Sequence, residues 1–206
     1  MTKKTKNLLD LLPEEGENPE LCGIDEAGRG PLAGPLVVAG VVLTSRINGL
    51  DDSKRLSETA REKLYEKILQ RSRHHLVIIE AQRIDEEGLS RCMHSALEEI
   101  LEALAGKERI FLFDGNTTFG VPGLGTLVGA DGKVPQVSAA SILAKVTRDR
   151  IMIEAATRYP QYGFEKHKGY GTAAHREAIR LHGLPPLHRR SFCKNIEMQK
   201  KEGKLF

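Results

Sequence analysis

The 206-residue sequence predicts an α/β fold: a mixed sheet of five strands flanked by helices and followed by a helical C-terminal part. Two observations carry the prediction. Five short apolar runs, several rich in β-branched residues, read as strands, and the stretches between most of them place apolar residues every three to four positions, as helices do. A third observation sets the pairing. Only about ten residues separate the first two runs, which suits an antiparallel pair, whereas helices between later runs suit parallel pairing.

Taken in order, Leu21–Asp25 is the first strand candidate, and Pro35–Thr44 (PLVVAGVVLT) reads as a buried second strand. Ser57 can cap a helix whose Leu64, Ile68 and Leu69 share a face. Leu76–Ala81 is the third strand. Ser90–Ala105, with Met93, Leu97, Ile100, Leu101 and Leu104, is the next helix. Arg109–Asp114 and the weaker Gly125–Ala130 complete the strands. Ser138 opens a long helix carrying Ile142, Leu143, Val146 and Ile153, and Gly171-Thr172 starts another that ends near His182-Gly183, where glycine fits a C-terminal cap. Residues 1–18 read as a flexible arm and 19–206 as one domain whose basic helical part begins near residue 172.

Composition narrows the classes of function. No uninterrupted apolar stretch reaches the roughly 20 residues needed to span a bilayer. The basic Met1–Lys6 is followed only by Leu8–Leu12, broken by Asp10 and then Glu14 and Glu15, so a signal peptide is not expected and the expected location is the cytoplasm. Cys22, Cys92 and Cys193 form no Cys-x-x-Cys pair, which argues against a zinc ribbon and leaves three small buried thiols. The net charge of +3 conceals an asymmetry: residues 142–206 hold 14 Lys+Arg against 6 Asp+Glu, while residues 1–141 hold 17 against 22. A basic third on a mildly acidic body is compatible with a polyanionic partner.

The informative residues are acids placed where apolar strands stop. Asp25 and Glu26 end the first strand, Asp114 the fourth and Asp131 the fifth. One strand-end aspartate serves equally well as a turn former or helix cap. Three such endings in one open α/β sheet, whose ligands gather at the carboxyl ends of parallel strands, point to a shared ligand. Clustered carboxylates raise one another's pKa. A hard divalent cation relieves that conflict, and all-oxygen ligation fits magnesium or manganese, two ions of which could cleave a phosphodiester. Adjacent strand residues face opposite ways, so Asp25 and Glu26 meet the same ion only if the chain kinks at Glu26 or Glu26 contributes its backbone carbonyl.

A glycine-rich stretch follows the first acids. It is not a phosphate-binding P-loop, since no Gly-Lys-Ser/Thr follows. The string Gly23-Ile24-Asp25-Glu26-Ala27-Gly28-Arg29-Gly30-Pro31-Leu32-Ala33-Gly34-Pro35 resembles the opening signature of bacterial ribonuclease HII. The resemblance continues through Asp52-Ser53-Lys54-Arg55-Leu56-Ser57, Phe113-Asp114-Gly115-Asn116, Ala130-Asp131 and Ser138 to Asp149, then His167-Lys168-Gly169-Tyr170-Gly171-Thr172 and His188-Arg189-Arg190-Ser191-Phe192. It covers about residues 20–193. It implies a ribonuclease H-like fold and an endonuclease that cuts the RNA strand of RNA–DNA hybrids. It also implies incision of duplex DNA 5′ of an embedded ribonucleotide, leaving 3′-hydroxyl and 5′-phosphate ends.

The resemblance implies roles for particular residues. Asp25, Glu26, Asp114 and Asp131 become the metal ligands. Asp25 bridges two ions, Asp131 helps hold the one that activates water, and Asp114 with Glu26 holds the one beside the departing 3′-oxygen. Gly28, Arg29 and Gly30 resemble the loop that reads the 2′-hydroxyl, the one group that separates RNA from DNA at a nucleotide. Tyr170 resembles the aromatic that stacks on the deoxyribose after the ribonucleotide, favouring an RNA-to-DNA junction. Lys54 would meet a phosphate near the cut, and Lys145, Lys168, Arg189, Arg190 and Ser191 would position the strand. His167 reads as phosphate-binding or structural, and Asp149 as a buried, satisfied acid. Gly203-Lys204-Leu205-Phe206 resembles a short sliding-clamp-binding tail, and a monomer is expected. Competing readings are a resolvase or transposase core, a non-catalytic nucleic-acid binder and a metal-dependent phosphatase. The first lacks the Gly-Arg-Gly loop, the second predicts broken carboxylates, and the third needs no basic tail.

Overall fold

A computed structural model describes residues 20–50 and 56–196 of the chain. The arm at 1–18, Lys54 and the tail at 203–206 lie outside the described residues. Five strands, β1 (Leu21–Ala27), β2 (Leu36–Leu43), β3 (Ser72–Ile79), β4 (Ile110–Phe113) and β5 (Leu124–Thr126), form one mixed sheet in the order β3-β2-β1-β4-β5. The helices are α1 (Glu58–Gln70), α2 (Ala81–Glu87), α3 (Leu89–Ala103), α4 (Pro135–Arg158), α5 (Phe164–His167) and α6 (Ala173–His182). This is the predicted five-stranded mixed sheet with helices, including the helical C-terminal region. No helix among the described residues is long and apolar enough to cross a membrane.

The described chain falls into two compact units. The first comprises residues 20–27, 38–50, 56–77 and 93–146, and the second 28–37, 78–92 and 147–196. In the first unit, Met93, Ala96, Leu97 and Ile100 form the fully buried stripe of α3. Each large side chain buried there contributes about 2 kcal/mol. In the second unit, Met152, Tyr162, Phe164, Ile179 and Cys193 gather in one apolar cluster. All three cysteines are buried and free, as their spacing suggests.

Local chemistry explains three helix ends. Ser57 caps α1 by accepting from the Ala60 amide at 3.2 Å, and Thr172 caps α6 by accepting from that of His175 at 3.3 Å. Gly183 ends α6 in a left-handed turn (φ 81°).

Several boundaries differ from expectation, each for a physical reason. β3 begins at Ser72 rather than Leu76. It is an edge strand, so its polar first half (Ser72, Arg73, His74, His75) escapes a search for apolar runs. Ala81 opens α2 instead of closing β3, and α2 is too short to show periodicity, with only Ala81 and Ile84 buried. α4 begins at Pro135, three residues before Ser138, since proline suits a first helical turn. β4 and β5 pair in parallel, yet the connection between them, 114–123, contains no helix. β5 itself stops at Thr126, and Gly129, in the left-handed region at φ 68°, leads into a 3₁₀ turn at Ala130–Gly132. Asp131 therefore does not end a strand; it sits on the turn that leads to α4. Asp149 is half-buried rather than buried.

Candidate active site

The acidic site belongs to the first unit. β1 and β4 run parallel in a register that pairs Ile24 with Phe113, and the Asp114 amide donates to the Ile24 carbonyl at 3.0 Å. The next pair along is Asp25 and Asp114, and paired residues of neighbouring strands project to the same side. The turn then closes on Asp114. Its Oδ1 accepts from the Gly129 amide at 2.9 Å and its Oδ2 from the Asp131 amide at 3.2 Å. The Ser138 hydroxyl, one turn into α4, donates to the Asp131 carbonyl and so fastens the same turn to the helix. Gly23 permits the approach, because a Cβ at that position would lie 2.2 Å from the Val137 amide nitrogen of α4.

The result is a group of three carboxylates, Asp25, Asp114 and Asp131, each offering an oxygen within 4.8 Å of the others. Asp25 and Asp131 are almost buried, at 8% and 5% exposure. Burial, followed by the charge of Glu26, raises the Asp25 carboxyl well above the ordinary range. A hydrogen bond from Ser141 and one from the Glu26 amide (2.7 Å) oppose the rise, and the Asp114 charge adds to it. Three crowded carboxylates, two of them nearly dry, are costly alone, and an all-oxygen donor set of this kind fits a hard divalent cation.

Glu26 is the predicted acid that the structure leaves outside the group. β1 runs through Glu26 to Ala27, and the Glu26 carboxylate is not among the oxygens that meet within 4.8 Å. Glu26 is half-buried and close enough to raise Asp25.

The glycine loop and Tyr170 belong to the second unit. Gly28 is held at φ 98°, and a Cβ there would strike the Arg148 side chain at 2.2 Å and the Pro35 carbonyl oxygen at 2.6 Å, so glycine is obligatory for the fold. Gly30 differs: a Cβ would meet nothing within 4 Å, and the residue is exposed, so internal packing does not explain it. Arg29 is exposed. Tyr170 is 46% exposed, with the Arg148 guanidinium 5.7 Å from its ring centre.

The remaining predicted contacts divide. Arg189 is a correction: it is fully buried and donates to the carbonyls of Gly28 (2.7 Å), Arg29 (3.1 Å) and Gly34 (2.8 and 3.0 Å), so it holds the loop rather than a strand of substrate. Burial first, and then Arg148, lower its pKa to about 10, still charged at neutral pH. Arg190 and Ser191 are exposed, but their amides donate to the two oxygens of Asp85 (2.7 and 3.0 Å), and the Ser191 hydroxyl also donates to Asp85. Lys168 folds back onto the Glu165 carbonyl. Lys145 is half-buried on α4. His167 is structural: Nε2 donates to the Tyr162 carbonyl at 2.8 Å, while Nδ1 accepts from the Gly169 amide at 3.2 Å.

Sequence reasoning missed Arg148, Asp85, His175 and His188. Arg148 is 1% exposed and donates to the carbonyls of Pro35 (2.9 Å) and Ala33 (3.1 Å). Its only sequence signal is a charge on the otherwise buried face formed by Ser141, Ala144 and Met152 of α4.

The ribonuclease HII of a Sulfurovum species is 57% identical over 178 residues, which cover 86% of this chain and 94% of that protein. The ribonuclease HII of Archaeoglobus fulgidus, solved in complex with PCNA, superposes with a TM-score of 0.71 at 29% identity, covering 82% of this chain and 93% of its own. The ribonuclease H2 of Pyrococcus horikoshii gives the same TM-score at 28% identity, covering 89% and 99%. A family model for ribonuclease HII matches residues 22–195, the stretch that contains the three clustered aspartates, the glycine loop and Tyr170, and the chain therefore belongs to the ribonuclease HII family of endonucleases.

Proposed function

We propose that the protein hydrolyses the RNA strand of RNA–DNA hybrids and incises duplex DNA on the 5′ side of an embedded ribonucleotide, leaving 3′-hydroxyl and 5′-phosphate ends. The observation that carries this reading is the group of aspartate oxygens within 4.8 Å of one another in a chain of this family. Asp25, Asp114 and Asp131 would hold magnesium or manganese, two ions in this reading, with Glu26 as a further ligand. When bound, such ions activate the attacking water and offset charge on the phosphate and the departing oxygen. The chain itself supplies position. The Gly129 and Asp131 amides orient both oxygens of Asp114, and Ser141 and the Glu26 amide orient Asp25.

Substrate reading falls to the second unit. Gly30 keeps an exposed backbone free of any Cβ, which supports contact between the Gly28–Gly30 main chain and a 2′-hydroxyl. The exposed ring of Tyr170 is free to stack on a sugar. Arg29, Arg190, Ser191, Lys145, Lys168 and Lys54 would contact the phosphate backbone and weaken with salt. A sliding clamp is a further partner in this reading, through residues 203–206, because a similar enzyme has been solved with PCNA. We take the enzyme to act as a monomer in the cytoplasm.

The test is a labelled DNA duplex containing one ribonucleotide, incubated with manganese or magnesium beside an all-DNA duplex. Incision only at the ribonucleotide, on its 5′ side, is expected, with none from Asp25→Asn although that variant still binds. Wild-type rates from Asp25→Asn, or cleavage of the all-DNA duplex, would overturn the reading.

A further inference from the structure

Arg148 and Arg189 converge on one segment from elements far apart in sequence. Arg148, on α4, bonds the carbonyls of Ala33 and Pro35; Arg189, before the Arg190–Phe192 turn, bonds those of Gly28, Arg29 and Gly34. Five carbonyls of an eight-residue loop thus point inward onto two buried guanidiniums. A loop of three glycines has many conformations open to it, and these bonds select one.

The same segment is tied to Tyr170. The amides of Leu32 and Ala33 donate to the Gly169 carbonyl at 2.9 and 3.3 Å, and Arg148 lies under the Tyr170 ring. On the other side, the Arg189 amide donates to the Leu32 carbonyl at 2.8 Å, and the Gly34 amide to that of Leu187 at 2.9 Å. Asp85, on α2, anchors the following turn through the amides of Arg190 and Ser191. Arg148 is the residue common to both features, since it packs against Gly28 and beneath Tyr170.

We propose that Arg148 and Arg189 are positioning residues that set the enzyme's preference for an RNA-to-DNA junction without touching substrate, by locking the Gly28–Pro35 loop and the Tyr170 ring in one mutual arrangement. The proposal rests on the reading of Gly28–Gly30 and Tyr170 as the substrate-reading groups. Only a guanidinium spans two carbonyls at once in a fixed plane, so lysine preserves the charge but not the arrangement.

The experiment compares kcat/KM of the full chain, with manganese, on two substrates: a DNA duplex with one ribonucleotide and a continuous RNA–DNA hybrid. The ratio of the two is the junction preference. Arg148→Lys and Arg189→Lys are each expected to lower that ratio about tenfold, the scale of a small misplacement of reading groups. Adding Arg148→Lys to Tyr170→Ala should lower it no further, because the two act through one contact. Ile179→Val, a packing change in the apolar cluster of the same unit, should lower Tm and leave the ratio unchanged. Equal loss on both substrates in the lysine variants would make the arginines merely structural and overturn the proposal, as would independent multiplication of the Arg148→Lys and Tyr170→Ala effects. If Arg148→Lys does not fold, the ratio measured for Arg189→Lys decides for or against the proposal by the same criterion. An unchanged ratio in Tyr170→Ala sinks the substrate reading itself, whereas loss there with no change in either lysine variant sinks only the positioning role of the two arginines.

Discussion

His175 and His188 make a pH-dependent contribution to stability that can be worked from their geometry. His175 Nδ1 lies 2.9 Å from the Tyr170 carbonyl and must donate to it, so its Nε2 is an acceptor. His188 Nε2, 3.0 Å away, is then the donor, and among the described residues His188 Nδ1 faces no hydrogen-bond partner. A proton added to His175 would set donor against donor, and one added to His188 would be buried beside His175, a cost that the Pro185 carbonyl only partly offsets. Burial is the largest cause of lowering for both rings, followed for His188 by the neighbouring His175, and both fall from 6.5 to about 4. The folded chain therefore keeps the pair neutral while the unfolded chain takes up protons. The stability is fully present above pH 6.5 and is lost as pH falls toward 4. Linkage puts the loss between pH 7 and pH 5 at about 2 kcal/mol per ring, or roughly 4 kcal/mol for the pair. Urea unfolding at both pH values, in the wild type and in His175→Gln/His188→Gln, isolates this term, because carboxylate titration is common to both. Pair-free and wild-type proteins that lose equal stability over this interval, within about 0.5 kcal/mol, would refute the neutral-pair argument.

Three further outcomes follow from the site. Asp25→Asn should abolish cleavage and raise the Tm of metal-free protein, since it removes the carboxylate that burial and Glu26 disfavour; manganese should raise the Tm of the wild type and not of the variant, by calorimetry. Gly28→Ala should destabilise by about 2 kcal/mol or more, from its positive φ and the clash with Arg148, whereas Gly30→Ala should stay within about 0.5 kcal/mol yet cut poorly at single ribonucleotides; thermal melts beside cleavage assays separate the two. Asp85→Ala should cost about 1–2 kcal/mol by freeing the turn at 190–192, and junction preference should fall with it, read on the same pair of substrates.

Most of the elements, and the chemistry of the strand-end acids, were legible from short-range pattern. The β-branched run at 36–43, the stripe of α3, the caps at Ser57, Thr172 and Gly183, and the acids beside apolar strands all depend on neighbours within a few residues, where propensity and periodicity act. Which of these residues meet is set by long-range packing. The parallel register of β1 and β4 sets Asp25 beside Asp114, a break after β5 moves Asp131 onto a turn that Asp114 itself holds, and Glu26 stays outside that group. Arg189 looked like a nucleic-acid contact because it stands in a basic run, yet it is buried beneath a loop some 155 residues earlier in the chain. Arg148 showed only as a charge on an apolar helix face, and nothing local marked His175 and His188 as a pair. The partners of Arg148 are backbone carbonyls more than a hundred residues earlier, and the two histidines meet only once the chain has folded back and their buried rings must find partners.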